Sequence, residues 1–258
     1  MKRRQFLTYG FAAAWGTTGL ALTAQQVAAQ SVRAPSLTIR SLGHTCFTFS
    51  DGAQTILSNP FNTLGCTAGY GLPTPTADLV TISSQLLDEG YVSRLPGNPS
   101  VLYQAGDFEF RGLRFRGVRT SHDRVGGRRF GDNIAWSWVQ GGLRVLHLGG
   151  MAGRVEVEQQ TLLGRPDVAI VPVGGGPKAF TAAEAKAAIE LLRPKVVIPS
   201  HFRTAAADDQ CEIEPLDGFL EAMAGYDVKV LTGDSLTLRS GDLSPEGTLV
   251  RALAYPLA

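Results

Sequence analysis

Residues 77–91 read Ala77-Asp78-Leu79-Val80-Thr81-Ile82-Ser83-Ser84-Gln85-Leu86-Leu87-Asp88-Glu89-Gly90-Tyr91. The apolar run Leu79–Ile82 reads as a short buried strand. It runs into a polar segment with two adjacent carboxylates, Asp88 and Glu89. Acidic residues in that position have two readings. They are donors at a strand end, or they open a helix, where carboxylates favour the positive end of the macrodipole.

Working outward, short apolar runs dominate on both sides. Ser36–Arg40, Cys46–Phe49, Thr55–Ser58, Val101–Tyr103, Phe108–Phe110 and Leu113–Val118 read as strands, as do Ile134–Val139, Leu143–Leu148, Val168–Val173, Val196–Ser200, Val228–Leu231 and Leu236–Leu238. Asp51-Gly52, Gly106-Asp107 and Gly141-Gly142 stand where hairpin turns belong. Helices gather in the second half. Thr181-Ala182-Ala183-Glu184 is a capping box opening a helix to Leu192, with Pro194 just beyond. Val155–Leu163 and Leu216–Ala224 are the next candidates. No repeat of fixed period is visible. This pattern alone specifies a large α/β or α+β domain.

The N-terminus reads as an export signal. Lys2-Arg3-Arg4-Gln5-Phe6-Leu7 is a twin-arginine n-region, followed by small and apolar residues from Tyr9 to about Ala24. Val27-Ala28-Ala29 predicts cleavage after Ala29, leaving 30–258 as one domain. The glycines and threonines at 16–19 make the stretch weak as a membrane anchor, and no other apolar run is long enough to span a bilayer. Losing Lys2, Arg3 and Arg4 reduces the basic residues from 24 to 21 against 23 acidic ones, a net charge of −2. Without a basic block, nucleic acid and anionic lipid are not indicated as partners. The expected location is the periplasm, or the thylakoid lumen in a source with thylakoids.

Five segments, in order, carry a resemblance: Leu42-Gly43-His44-Thr45-Cys46-Phe47; Leu57-Ser58-Asn59-Pro60-Phe61; Ser84–Glu89; Ser121-His122-Asp123 through Gly131-Asp132-Asn133 to His147-Leu148-Gly149-Gly150; and Val171-Pro172-Val173-Gly174-Gly175-Gly176 followed, after the Thr181 helix, by Ile198-Pro199-Ser200-His201-Phe202-Arg203-Thr204. Together they resemble the metallo-β-lactamase superfamily, in its lactonase-like branch of zinc-dependent hydrolases. The resemblance spans nearly all of residues 36–225. It implies a four-layer αββα sandwich. It also implies imidazoles and carboxylates converging at one edge of the two sheets, where they hold two divalent cations and a bridging water whose pKa they lower.

Set against the family's His-x-His-x-Asp-His, this chain has Ser84, Leu86, Asp88 and Glu89. The first-ion positions match Ser84, Leu86 and His122, and the bridging carboxylate falls on Gly150. The second-ion positions match Asp88, Glu89 and His201. The resemblance therefore implies residual metal donors at Asp88, Glu89, His122 and His201, with His44, Asn59 and His147 as supporting residues around them. As a cofactor it leaves none, or a single weakly held Zn²⁺, Mn²⁺ or Fe²⁺. His44 and His147 also read as hydrogen-bonded structural histidines. Arg203, just past His201, is an anion contact or a surface arginine. Gly174-Gly175-Gly176 lacks the phosphate-loop lysine and reads as a tight loop under the site.

Cys46 lies on a buried strand and reads as an inert thiol. In the resembled fold the loops of Cys66 and Cys211 approach the site rim. A disulfide, an added soft ligand and two free thiols are all open there.

The functional expectation is an exported, non-catalytic binding or assembly module whose partner is a small molecule or a protein. The alternative is a mononuclear hydrolase of an ester, lactone or phosphoester. With the dinuclear site eroded, no Ser-His-Asp order or Cys-His pair supplies another nucleophile.

Overall fold

The computed structural model describes residues 34–243 and 246–257; the twin-arginine segment and its cleavage point lie outside them. Two hairpins and two parallel strands open the domain: β1 (Leu37–Gly43), β2 (Cys46–Ser50), β3 (Thr55–Ser58), β4 (Leu79–Thr81) and β5 (Ser100–Leu102). A run of antiparallel strands follows: β6 (Gly106–Phe110), β7 (Leu113–Ser121), β8 (Asp132–Gln140) and β9 (Leu143–His147). Helices then alternate with strands: α1 (Val157–Leu163), β10 (Val168–Pro172), α2 (Ala182–Leu192), β11 (Val196–Ser200), α3 (Asp217–Ala222) and β12 (Asp227–Val230). Two more strands follow, β13 (Ser235–Leu238) and β14 (Leu249–Ala252).

The strands make two sheets, β13-β1-β2-β3-β4-β5 and β12-β14-β11-β10-β9-β8-β7-β6. Their inner faces share one apolar core. Ile39, Phe47, Phe49 and Ile56 of the first meet Phe115, Trp136, Trp138, Val145 and Ile170 of the second. The Phe49 and Trp138 rings touch edge to face, 4.9 Å between centroids. This is the αββα sandwich of the expected fold class. On the outer face of the eight-stranded sheet, Leu163, Ala185, Ile189, Leu192 and Phe219 of the helices bury Ala135, Leu146, Ala169 and Val197. The outer layer over the six-stranded sheet is thinner. Phe61, Tyr70, Leu95 and Ala206 come from loops and cover Cys46, Leu57 and Val80.

The capping box forms as read: Thr181 Oγ1 accepts from Glu184 N (3.2 Å), and Thr181 N donates to Glu184 Oε2 (2.8 Å). Arg193 closes the helix in the left-handed region, at φ 49°. Two expectations are corrected. The segment after β4 forms no helix, so Asp88 and Glu89 sit on a turn rather than on a macrodipole. And β14 was not anticipated. It lies between β11 and β12, pairing parallel with both. Its four residues include Arg251, and that composition concealed a strand whose pairing comes entirely from distant chain.

Candidate functional site

The turn after β4 gives the two carboxylates different partners. Its start is fixed where Ser83 N donates to Asn59 Oδ1 (2.8 Å) and Ile134 N donates to Ser83 O (2.8 Å). Leu86 O then accepts from both Glu89 N (3.0 Å) and Gly90 N (2.7 Å). Position 90 must be glycine, because a Cβ there would lie 2.3 Å from Ser84 O. This tight turn drives Glu89 inward, where it is fully buried. Asp88 is mostly buried and pairs with Lys178, whose ammonium also lies 5.7 Å from the centre of the Phe130 ring.

Three histidines converge on Glu89. His122 follows the last residue of β7, and its Nε2 lies 2.7 Å from Glu89 Oε2; Ser84 Oγ donates to the same oxygen at 3.0 Å. His201 follows β11, with Nδ1 3.6 Å from Glu89 Oε1. His44 occupies the β1–β2 turn, its ring centroid 4.4 Å from that of His201. His44 and His201 both adopt φ 54°, and His201 N donates to His44 O at 3.1 Å. Left-handed backbone is strained for such side chains and persists where the surroundings enforce it. Gly174 helps: its N donates to His201 O, and a Cβ there would lie 2.2 Å from that oxygen. The glycine run is thus the tight loop expected under the site.

The electrostatics divide the cluster. Burial alone would raise the Glu89 carboxyl pKa, but the charge and hydrogen bond of His122, then the charge of His201, hold it far below the carboxylate range. Burial would lower that of His122, yet Glu89 outweighs it and keeps the imidazole above its ordinary value. Burial lowers both His201 and His44. Glu89 thus favours the protonated form of His122, while burial favours the neutral form of His44 and His201.

Neither ring nitrogen of His44 or His201 has a hydrogen-bond partner, nor does Glu89 Oε1. Buried polar atoms are rarely left so. One nitrogen from each ring and a Glu89 oxygen lie within 4.8 Å of one another. The donor set, two neutral imidazoles and a carboxylate, fits one divalent transition metal. The bridging position does not fit a second ion. A Cβ on Gly150 would lie 2.5 Å from both Glu89 Oε1 and His122 Nε2, so the carboxylate and imidazole fill the space a bridging side chain needs.

The structure therefore gathers Glu89, His122 and His201 of the four expected donors, while Asp88, beside them, is paired with Lys178. His44, expected as a hydrogen-bonded support, is instead one of the three converging donors. His147 is structural: its Nε2–H donates to Thr45 O and its Nδ1 accepts from Gly149 N, both at 3.0 Å. Asn59 supports the turn through Ser83. Arg203 is an exposed arginine whose Nη1 donates to Cys211 O (3.3 Å). Sequence reasoning missed Lys178 and the Ser84 hydroxyl, and nothing local in the sequence marks Lys178. Asp123 stays ionised, its pKa near 2: burial raises it, but the backbone N–H groups of Phe130, Arg129, Val125 and Gly127 outweigh that and close the loop behind His122.

Cys66 and Cys211 form a disulfide, leaving Cys46 free and buried. The bridge joins the loop before the Glu89 turn to the loop after His201. Tyr70 Oη and Thr204 Oγ1, 2.7 Å apart, tie the same two loops.

Comparison with known proteins places this arrangement. The family described as Beta-lactamase superfamily domain matches residues 38–201. A metal-dependent hydrolase of Thermoplasma acidophilum is 25% identical over 121 residues, 47% of this chain and 51% of that protein, so the chain spans about half the length of that curated relative. A metal-dependent hydrolase of Thermococcus onnurineus is 27% identical over 195 residues, 64% of this chain and 84% of that protein. Among solved structures, a metallo-β-lactamase-superfamily protein of Thermotoga maritima, classed with Zn-dependent hydrolases, superposes with a TM-score of 0.66 at 29% identity, covering 84% of this chain and all of that one.

Proposed function

This chain belongs to the β-lactamase superfamily with the metallo-β-lactamase fold, and from that premise we propose that it is an exported, non-catalytic binding or assembly module whose dinuclear centre has given way to a buried carboxylate–imidazole cluster. The observation that carries the reading is the position of Glu89. Its carboxylate is fully buried, bonded to His122 and Ser84, and fills the room beside Gly150. In this superfamily the ion pair supplies hydroxide at neutral pH. Here positions 84, 86 and 150 offer serine, leucine and glycine to that chemistry. His44 is 6% exposed and Glu89, His122 and His201 are 0%, so the cluster presents no open face to a substrate. A partner would use the rim instead. A cavity of about 540 Å³ lies there, lined by Ser84, Gln85, Tyr103, Arg119 and Phe130. The sequence after residue 29 carries no basic block, so nothing in it points to nucleic acid as the partner.

Two features favour the second reading, a mononuclear hydrolase of an ester, lactone or phosphoester. They are the unpartnered donors of His44, His201 and Glu89, and the metal-dependent hydrolase names of the relatives. A panel of lactone, aryl ester and phosphodiester substrates, run with added Zn²⁺ or Mn²⁺ and again with chelator, separates the two. We expect rates at background in every arm. Turnover that chelator abolishes and His201→Ala removes would establish the enzyme.

Export is part of the proposal. The Arg3-Arg4 pair ahead of Phe6-Leu7 motivates it, and the Cys66–Cys211 bridge suits an oxidising compartment. Replacing both arginines by lysine should retain the chain in the cytoplasm. Undiminished export of that double variant would remove the twin-arginine route.

A further inference from the structure

We infer that His44, Glu89 and His201 together hold one divalent transition-metal ion, with the hairpin-turn His44 taking the place that the family pattern would give to Asp88. The inference rests on the loss of the dinuclear centre proposed above and names what the remaining pocket binds.

Four observations converge. The three donor groups come from three separate chain segments, yet their ligand atoms lie within 4.8 Å of one another. The Glu89 Oε1 to His201 Nδ1 separation is 3.6 Å, close to the roughly 3.4 Å edge of a tetrahedral zinc site with ligands about 2.1 Å from the ion. All four ring nitrogens of His44 and His201, and Glu89 Oε1, are buried without a protein partner. Leaving such groups unsatisfied costs about 1–3 kcal/mol each, and an ion bound to one nitrogen of each ring and to Glu89 Oε1 would satisfy three of them. Finally, both histidines sit on left-handed backbone, joined by the His201 N to His44 O bond, so the fold spends strain to aim them at one point.

The rival donors are otherwise engaged. Asp88 lies beside the cluster, but its carboxylate is paired with the Lys178 ammonium. His122 Nε2 is committed to Glu89 Oε2 at 2.7 Å. That bond leaves Oε1 facing His44 and His201, so His122 orients the carboxylate as an outer partner. Two imidazoles and one carboxylate suit Zn²⁺, Fe²⁺ or Mn²⁺ better than Ca²⁺ or Mg²⁺, which prefer all-oxygen shells.

The test uses the purified, disulfide-intact chain, stripped with chelator and titrated with Co²⁺, with stoichiometry from elemental analysis and the ligand field from visible absorption. Circular dichroism of each variant checks folding. The expected result is one equivalent of Co²⁺, affinity reduced by roughly tenfold or more in His44→Gln, and affinity within roughly twofold of wild type in Asp88→Asn. If His44→Gln does not fold, pulsed EPR of the Cu²⁺-loaded wild-type chain decides by counting coupled imidazoles. Two support the site, and one overturns it. Full Co²⁺ affinity in folded His44→Gln, loss in Asp88→Asn, or no Co²⁺ binding at all would each overturn it. Two equivalents per chain would overturn the loss of the dinuclear centre and this site with it. Hydrolysis by the one-ion protein would overturn the non-catalytic reading alone and leave the ligand set standing.

Discussion

Nε2 of His122 lies 2.7 Å from Oε2 of Glu89, and neither side chain exposes any surface. A carboxylate thus stands in the interior against an imidazole, and its charge and hydrogen bond raise the pKa of that ring. Removing one member of such a pair leaves an uncompensated buried charge, at about 3–5 kcal/mol. His122→Ala should therefore lower the unfolding free energy by about that much in urea titrations. Glu89→Gln/His122→Ala should be less destabilised than the sum of the single variants, with a coupling of at least about 1 kcal/mol. Strict additivity would show that the two groups do not interact.

Gly150 has no room for a side chain. Its Cβ would meet Glu89 Oε1 and His122 Nε2 at 2.5 Å. Gly150→Ala should destabilise the chain by about 1–3 kcal/mol through overpacking. The same substitution combined with Glu89→Ala should recover part of that loss. Equal melting temperatures for Gly150→Ala and wild type would mean the carboxylate moves aside freely.

His147 supplies a pH dependence. Burial holds its pKa down to about 4, only partly offset by the bond to Thr45 O. Unfolded, the ring titrates near 6.5. Between pH 6.5 and 4 the unfolded chain binds a proton that the folded chain does not, so stability falls as pH falls through that window. The full contribution is about 3 kcal/mol. His147→Gln should flatten the slope of unfolding free energy against pH in that range, whatever its absolute stability. An unchanged slope would show that the ring is not held neutral.

The Cys66–Cys211 bridge joins residues 145 apart in sequence. Closing so long a loop restricts the unfolded chain by up to about 5 kcal/mol, and 2–4 is typical. Cys66→Ser/Cys211→Ser should lose about 2–5 kcal/mol in chemical denaturation. Thiol labelling of the unfolded, unreduced wild type should find one reactive cysteine, Cys46. Three labelled thiols would exclude the bridge.

The sequence by itself determined the fold class and most of the strands. Apolar runs such as Thr55–Ser58 and Val196–Ser200 are buried on local hydrophobicity alone, and the Thr181–Glu184 box caps its helix through contacts three residues apart. It also determined that Leu86 and Gly150 bring no ligand atoms wherever they sit, and Ser84 only a hydroxyl. It did not determine β14, whose pairing comes wholly from β11 and β12. Nor could it divide the work among the polar residues. Asp88 and Glu89 are neighbours of nearly equal chemistry, and only the turn closed by Leu86 O sends one to Lys178 and the other to His122. His44 and His201 are 157 positions apart, and a backbone bond between two strained residues sets their rings face to edge. Secondary structure is written in local pattern. A site made of converging side chains depends on turn geometry and on which distant segments the two sheets bring to one edge, and those are properties of the packed chain.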